Sequence, residues 1–270
     1  MIIAEACQNH NGDMHLLHDM VFKAAEAGAA FIKIQTFFAD DLSPEWQTDH
    51  KRIKGNEISW KDHENFAMWC AEAGIAPMTT IYDFKYAKQL QDLGFKYIKI
   101  GSPQSTNSDL LKKLIITGFK VIVSTGGRKL KDAVPVFPVH AVLHCVSAYP
   151  HSPFQSDLAR MLEIKKYYPS AHIGFSDHSD PVVHMWDMPS KLAMYLGAHY
   201  IERHFTLLPR NETKDGCVSI TFDQLKELVR FEKLSKEQQF EERPMFGLFS
   251  CPKEQSEYDL IKRFEERWRK

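Results

Sequence analysis

Two histidines, His178 and His204, each follow a short apolar run that ends in a polar cluster. AHIGF leads into Ser176-Asp177-His178, and AHYIE into Glu202-Arg203-His204. Between the runs, Pro181 to Leu196 reads as a helix, so the pattern is strand, helix, strand. Parallel strands joined in this way end on the same side of a sheet, which lets the two imidazoles converge. Two histidines and a nearby carboxylate at strand ends suit Zn2+, Mn2+ or Fe2+. The competing reading is a pair of histidines making ordinary hydrogen bonds at strand ends.

Lysines supply a second group. In FIKIQ, Lys33 and Gln35 share one face of a strand while Ile32 and Ile34 take the other. In a parallel barrel the helix-facing side is apolar, so Lys33 and Gln35 point inward, where a lysine is costly unless it meets an anion. YIKIGS places Lys99 inward in the same way, with Ser102 at its mouth. Thr80, Ser124 and Ser176 stand at other strand ends. Any one such hydroxyl is more often a turn or cap residue, but cations and hydroxyls together suit a phosphate and a carboxylate. Glu5, Asn56, Tyr149, Glu202 and Asp215 add groups that would hold a polyhydroxy substrate.

These residues need a frame that gathers strand ends. Ile2–Glu5 opens as a buried strand, and Asp13 caps a helix from Met14 to Glu26 that Gly28 stops. Further strands lie in GIAPMTT, FKYIKIGS, FKVIVSTGG and HAVLHCVSAYP. Ser59 caps a helix to Ala73, Asn107 caps Ser108–Thr117, and Phe84–Leu93 and Asp157–Tyr168 read as helices. Phe37 to Ser59 is a long polar loop, and RKLKDAVPVFP implies a stunted fifth helix. Eight strand-helix units predict an α/β fold, a (β/α)8 TIM barrel over residues 1–234 with helix eight at Phe222–Leu234. A doubly wound sheet is the rival, but no G-x-G-x-x-G follows any strand. Residues 235–270 read as a charged helical extension, interrupted by PMFGLFSCP and ending in a helix over Glu254–Arg269. The Met245–Phe249 cluster is expected to pack on the barrel or on another subunit.

Composition excludes several classes. The 34 basic and 35 acidic residues leave a net charge of −1, so no nucleic-acid or membrane-surface field is implied. Cys7, Cys70, Cys145, Cys217 and Cys251 are scattered without a C-x-x-C pair, which points to a reducing compartment. MIIAEACQNHNGD lacks the basic start of a signal peptide, and no apolar run approaches a membrane span. The expectation is a cytoplasmic protein.

IIAEACQNHNGD, FIKIQTF, YIKIGS, VIVSTGG, LHCVSAYP, IGFSDHS and LGAHYIERHFTL resemble, in order, the motifs of the sialic acid synthase family. The resemblance runs from Ile2 to about Lys233. It implies condensation of phosphoenolpyruvate with an N-acetylated hexosamine, such as N-acetylmannosamine, to give a nine-carbon 2-keto acid and phosphate. It assigns His178 and His204 to a divalent metal, usually Mn2+, with Mg2+ or Co2+ as alternatives. It gives Lys33, Thr80, Lys99, Ser102, Ser124 and Ser176 to phosphoenolpyruvate, and Glu5, Asn56, Tyr149, Glu202 and Asp215 to holding and activating the sugar, with Glu5, Glu202 and Asp215 as catalytic carboxylates. It also implies a homodimer.

Three departures stand out. The family's G-S-G-E after strand four is here Gly101-Ser102-Pro103-Gln104, and Gln104 cannot act as a base. Ser147 stands where the strand-six motif commonly carries Asn. The family's C-terminal antifreeze-like domain has no counterpart before Lys270, so a separate protein is expected to supply that lid, or the sugar differs. Three other functions compete: a Schiff-base aldolase using Lys33 or Lys99, a metal-dependent hydrolase built on the two histidines, and a degenerate sugar-binding homologue.

Overall fold

A computed structural model describes residues 1–41, 49–128 and 137–242. Its centre is a closed barrel of eight parallel strands in sequence order. They are β1 (Ile2–Glu5), β2 (Phe31–Thr36), β3 (Ala76–Ile81), β4 (Tyr97–Ile100), β5 (Lys120–Ser124), β6 (Ala141–Cys145), β7 (His172–Asp177) and β8 (Tyr200–His204). The helices are α1 (Met14–Ala27), α2 (His50–Lys54), α3 (Trp60–Ala73), α4 (Ala87–Asp92), α5 (Ser108–Ile116), α6 (Leu158–Tyr167), α7 (Met188–Tyr195), α8 (Phe222–Glu232) and α9 (Lys236–Glu242). No helix among the described residues is long and apolar enough to cross a membrane.

Strand alternation divides the apolar residues into two cores. Outward residues such as Ile32, Ile34, Ile98, Ile100, Val121 and Val123 meet the helix faces, which bring Leu17, Met20, Phe66, Leu111 and Leu228. Inside the barrel lies a smaller cluster of Ile3, Phe31, Met78, Ile122, Leu143 and Tyr200, with Tyr97 packed against it. Two residues further along each strand, the same inward face turns polar: Glu5, Lys33, Thr80, Lys99, Ser124, Cys145, Ser176 and Glu202. An apolar plug therefore floors a polar mouth at the C-terminal ends of the strands, where barrel enzymes carry their chemistry.

Register turns this face into a spiral. Glu5 pairs with Lys33, Thr80 with Lys99, and Cys145 with Ser176, which pairs with Glu202. At β2–β3, β4–β5, β5–β6 and β8–β1 the polar residue instead sits two positions beyond its neighbour's partner. Those offsets make a shear of eight residues, the value of a (β/α)8 barrel. At Gly174 a Cβ would lie 2.4 Å from the Tyr200 carbonyl oxygen and 2.5 Å from Leu143, so β7 approaches the plug closely only as glycine.

The strands fall where the sequence places them, and Asp13, Ser59 and Asn107 cap their helices as expected. Three elements differ. The helix expected from Pro181 begins only at Met188. Met185 is left-handed at φ 69°, and Pro189 is tolerated only in the first turn, since deeper in a helix its ring would clash with the carbonyl four residues back. Phe84–Leu93 starts as a 3-10 turn, Phe84–Tyr86, before α4. The described part of the loop from Phe37 to Ser59 carries α2. Most of the expected stunted helix, the Met245–Phe249 cluster and the Glu254–Arg269 helix lie outside the described residues.

On the outer face of β7 and β8, Arg203 meets Asp177 at 2.8 Å, both fully buried. Asp177 also accepts from Ser190 at 2.6 Å and from the Ser179 amide at 2.9 Å, and Arg203 donates to Ser179 Oγ at 2.9 Å. Burial pushes the Asp177 carboxyl up, but Arg203, with help from His151 and these hydrogen bonds, holds it below the usual carboxylate range. The pair ties together the strand ends that carry His178 and His204. Arg203→Met leaves a buried, unpaired carboxylate and is expected to lower stability by roughly 3–5 kcal/mol, read as an earlier urea midpoint with unchanged slope.

Candidate active site

The polar mouth is a cluster of buried charges. Lys33 Nζ is ion-paired to Glu5, lies 3.6 Å from Glu202 Oε2 and donates to Thr80 Oγ1 at 2.9 Å. Lys99 Nζ donates to Glu202 Oε1 at 3.0 Å, and Ser176 Oγ to the same oxygen at 2.8 Å. The other Glu5 oxygen accepts the Cys7 amide at 2.7 Å. None of the four charged residues is more than 4% exposed. Two ammonium groups and two carboxylates leave the cluster neutral, which is what makes its burial tolerable. Burial pulls Lys33 down to about 7 against the pull of Glu202. Burial also pushes Glu202 up, but Lys33 and Lys99 outweigh it and keep the carboxylate ionised.

Hydroxyls rim this cluster. Ser124 Oγ is buried and finds no hydrogen-bond partner among the described residues. Ser102 Oγ accepts the Gly126 amide at 2.8 Å, tying the β4 exit to the β5 exit. At Gly126 a Cβ would fall 2.1 Å from Ser147 Oγ, so Ser147 fills the space that a side chain there would take. Gln104 donates to the Tyr82 carbonyl at 3.0 Å, a bond an ionised carboxylate at that position could not make. Its Oε1 is buried without a hydrogen-bond partner among the described residues.

One step further along the inward face come His178 and His204, with ring centroids 5.3 Å apart. The convergence expected from the strand-helix-strand pattern is therefore present. His178 Nδ1 donates to the Val146 carbonyl at 2.8 Å, which fixes the tautomer and leaves Nε2 to accept from the Tyr149 hydroxyl at 2.9 Å. The Tyr149 ring stacks on that imidazole at 4.1 Å. His204 Nδ1 is buried without a hydrogen-bond partner among the described residues, 3.9 Å from Asp215 Oδ2. Burial pushes His178 down to about 4 and His204 well below its ordinary value, so both imidazoles are neutral at physiological pH. Burial raises the Asp215 carboxyl.

Two expected site residues sit apart from the lysines. Gln35 accepts from Gln8 at 3.4 Å, and Gln8 in turn accepts from Arg52 at 2.9 Å. Asn56 donates to the Arg52 carbonyl at 2.9 Å, and its Oδ1 is buried without a hydrogen-bond partner among the described residues. Sequence reasoning missed Asn9, which is fully buried. Its side chain donates to the Phe205 carbonyl and to Ser219 Oγ, both at 2.9 Å, and accepts the Asp215 amide at 3.2 Å. It also missed Cys7, whose Sγ lies with one donor atom each of His204 and Asp215 in a group all within 4.8 Å of one another. Period two along β1 was the available signal, since Cys7 follows Glu5 as His204 follows Glu202.

The sequence matches the model of the NeuB family over residues 20–240. It is 32% identical over 255 residues to N,N'-diacetyllegionaminic acid synthase of Legionella pneumophila, the match covering 85% of this chain and 70% of that one. Identity is 31% over 253 residues with the Campylobacter jejuni protein of the same name, covering 84% and 74%. Among solved structures, the N-acetylneuraminic acid (sialic acid) synthetase of Leptospira borgpetersenii, in complex with citrate, superposes with a TM-score of 0.76 at 27% identity. That superposition covers 97% of this chain and 90% of the other.

The buried neutral histidines make the metal-free protein acid-sensitive. Burial lowers both His10 and His178 to about 4. Between pH 6.5 and 4 the unfolded chain binds protons that these folded histidines refuse, so their contribution to stability is complete above pH 6.5 and falls on acidification. The expected slope is roughly 1.4 kcal/mol per pH unit for each histidine. Urea unfolding of chelator-treated protein across that interval checks it, and a flat profile would contradict the buried neutral assignment.

Proposed function

The chain belongs to the NeuB family, and on that premise we propose that it condenses phosphoenolpyruvate with an N-acetylated hexosamine, giving a nonulosonic acid and phosphate. The observation that carries the reading is the pair of buried lysines, Lys33 and Lys99, ringed by Thr80, Ser124 and Ser176 at the floor of the barrel mouth. With no ligand, Glu5 and Glu202 neutralise those lysines. A phosphate and a carboxylate entering together would compete for the same ammonium groups and find the Ser124 hydroxyl, which has no hydrogen-bond partner among the described residues. Glu5, Asn56, Tyr149 and Asp215 would then hold the sugar.

The donor set fits a divalent metal, because His204 keeps a buried ring nitrogen without a hydrogen-bond partner among the described residues and both imidazoles are neutral. Held by His204 with His178 beside it, such an ion would supply a Lewis acid for the aldehyde oxygen of the open-chain sugar, and Mn2+ is the ion the resemblance implies. C3 of phosphoenolpyruvate attacks the aldehyde carbon, forming the new C–C bond while the C=O π pair moves to the aldehyde oxygen as an alkoxide, and C2 is left cationic. Water adds at C2 and gives one proton to that alkoxide; the tetrahedral intermediate then breaks its C2–O bond, phosphate leaving with the electron pair and the remaining water proton as the C2 carbonyl forms. Lys33 and Lys99 stabilise the charge gathering on the departing phosphate inside a water-poor mouth. Glu202, kept ionised by the lysines, orients the incoming water through its carboxylate oxygens; its lowered basicity makes it a poor proton acceptor while both lysines are charged.

One observation favours a second reading. Lys33 at about 7 has the partly neutral amine that a Schiff-base aldolase needs. It is nonetheless pinned by Glu5 and Thr80, which is geometry suited to a charged anchor.

Phosphate release from phosphoenolpyruvate, measured over a panel of N-acetylated and plain aldoses with and without EDTA, separates the two. The expected result is chelator-sensitive release that requires a particular amino sugar, falling by roughly a hundredfold or more in Lys99→Met. Borohydride-trappable, chelator-indifferent activity on a pyruvate substrate would establish the aldolase instead.

A further inference from the structure

We infer that Cys7 is a metal ligand, its thiolate joining His204 and Asp215 to make a sulfur-nitrogen-oxygen site for a borderline-soft divalent cation. The inference rests on the metal-dependent reading above, changes its donor set, and moves Asp215 from the sugar to the metal. Cys7, His204 and Asp215 offer three donor atoms mutually within 4.8 Å, the only such group among the described residues. Cys7 and His204 are 6% exposed and Asp215 is largely buried. His204 Nδ1 supplies the independent observation, because it is buried, lacks a hydrogen-bond partner among the described residues, and faces Asp215 at 3.9 Å. An orphaned ring nitrogen in the interior is costly unless something binds there.

The chain builds this arrangement from two directions. Cys7 leaves β1 with φ 46°, in the left-handed region that favours glycine, and its amide is fixed by Glu5. Asp215 comes from the segment after β8, its amide held by Asn9, two residues beyond Cys7. Asn9 thus ties the two donor loops to one another, a supporting contact of the kind metal ligands require. Bonds of about 2.0–2.3 Å would need these donors to draw in by about an ångström. With a thiol in the set, Zn2+, Fe2+ or Co2+ suits the site better than Mn2+, whose preference is for oxygen donors. On binding, the thiol proton leaves to solvent and the sulfur lone pair forms the bond to the cation.

Titration of the chelator-treated, full-length protein with Co2+ alone tests this optically, without any turnover. The expected result is a near-ultraviolet thiolate-to-cobalt charge-transfer band beside the visible ligand-field bands. It should vanish in Cys7→Ser, with affinity falling at least the roughly 10–100-fold that loss of a mere supporting group costs. A second thiol, Cys145, lies 3.6 Å from His178 Nδ1, so the band must persist in Cys145→Ser for the assignment to stand. Ligand-field bands without a charge-transfer band in the unaltered protein would overturn the role of Cys7 and leave a histidine-based metal site standing. No cobalt binding at all would overturn both this inference and the metal dependence of the proposed reaction.

Discussion

Two lysines and two carboxylates, buried together inside the barrel, are the constraint around which the molecule is arranged. Isolated, each such charge would cost several kcal/mol to remove from water. Held as Glu5–Lys33 and Glu202–Lys99, with Lys33 3.6 Å from Glu202, the four compensate one another. Ser176 and Thr80 add the hydrogen bonds that the attraction of opposite charges alone does not supply. The arrangement is stable only if all four partners stay in register, which makes the barrel's stagger and its apolar floor parts of the site. A slip of one residue in β2 would turn Lys33 toward the helices and Ile32 or Ile34 toward the mouth.

The floor and the outer clamp serve that register. Ile3, Phe31, Met78, Ile122, Leu143 and Tyr200 pack together directly below the charges and give them an apolar floor. Outside, the buried Arg203–Asp177 pair joins β7 to β8, and Ser190 brings α7 into the same network. Above the charges, His204 ends β8 and His178 directly follows β7. A single periodicity of two along each strand thus produces three levels: apolar filler, paired charges, then neutral imidazoles beside a thiol and a carboxylate.

Much of this was legible in the sequence because alternation is a strong signal. FIKIQ and YIKIGS betray inward lysines, and the two His-bearing clusters after AHIGF and AHYIE betray a shared strand end. What the lysines meet was only half legible. An anion was required, yet nothing local to Lys33 names Glu5 or Glu202, which are brought to it across the barrel by closure. The helix expected from Pro181 begins at Met188, with Pro189 in the first turn, the one part of a helix where a proline is tolerated. Cys7 escaped notice because it lies beyond the strand in a turn of left-handed backbone, where strand periodicity is not ordinarily followed. Asn9 and Asp215 belong to segments some 200 residues apart, and only the ring closure of β1 against β8 makes them neighbours.

In the proposed reaction the buried lysines serve a carbon–oxygen cleavage of phosphoenolpyruvate during condensation with a sugar. Phosphoenolpyruvate carrying oxygen-18 in its bridging position tests it in one turnover experiment with the accepted sugar. The account predicts that the label leaves entirely with inorganic phosphate, because water supplies the new oxygen at C2. Label retained in the keto acid would mean that the phosphorus–oxygen bond breaks instead, and would contradict the account.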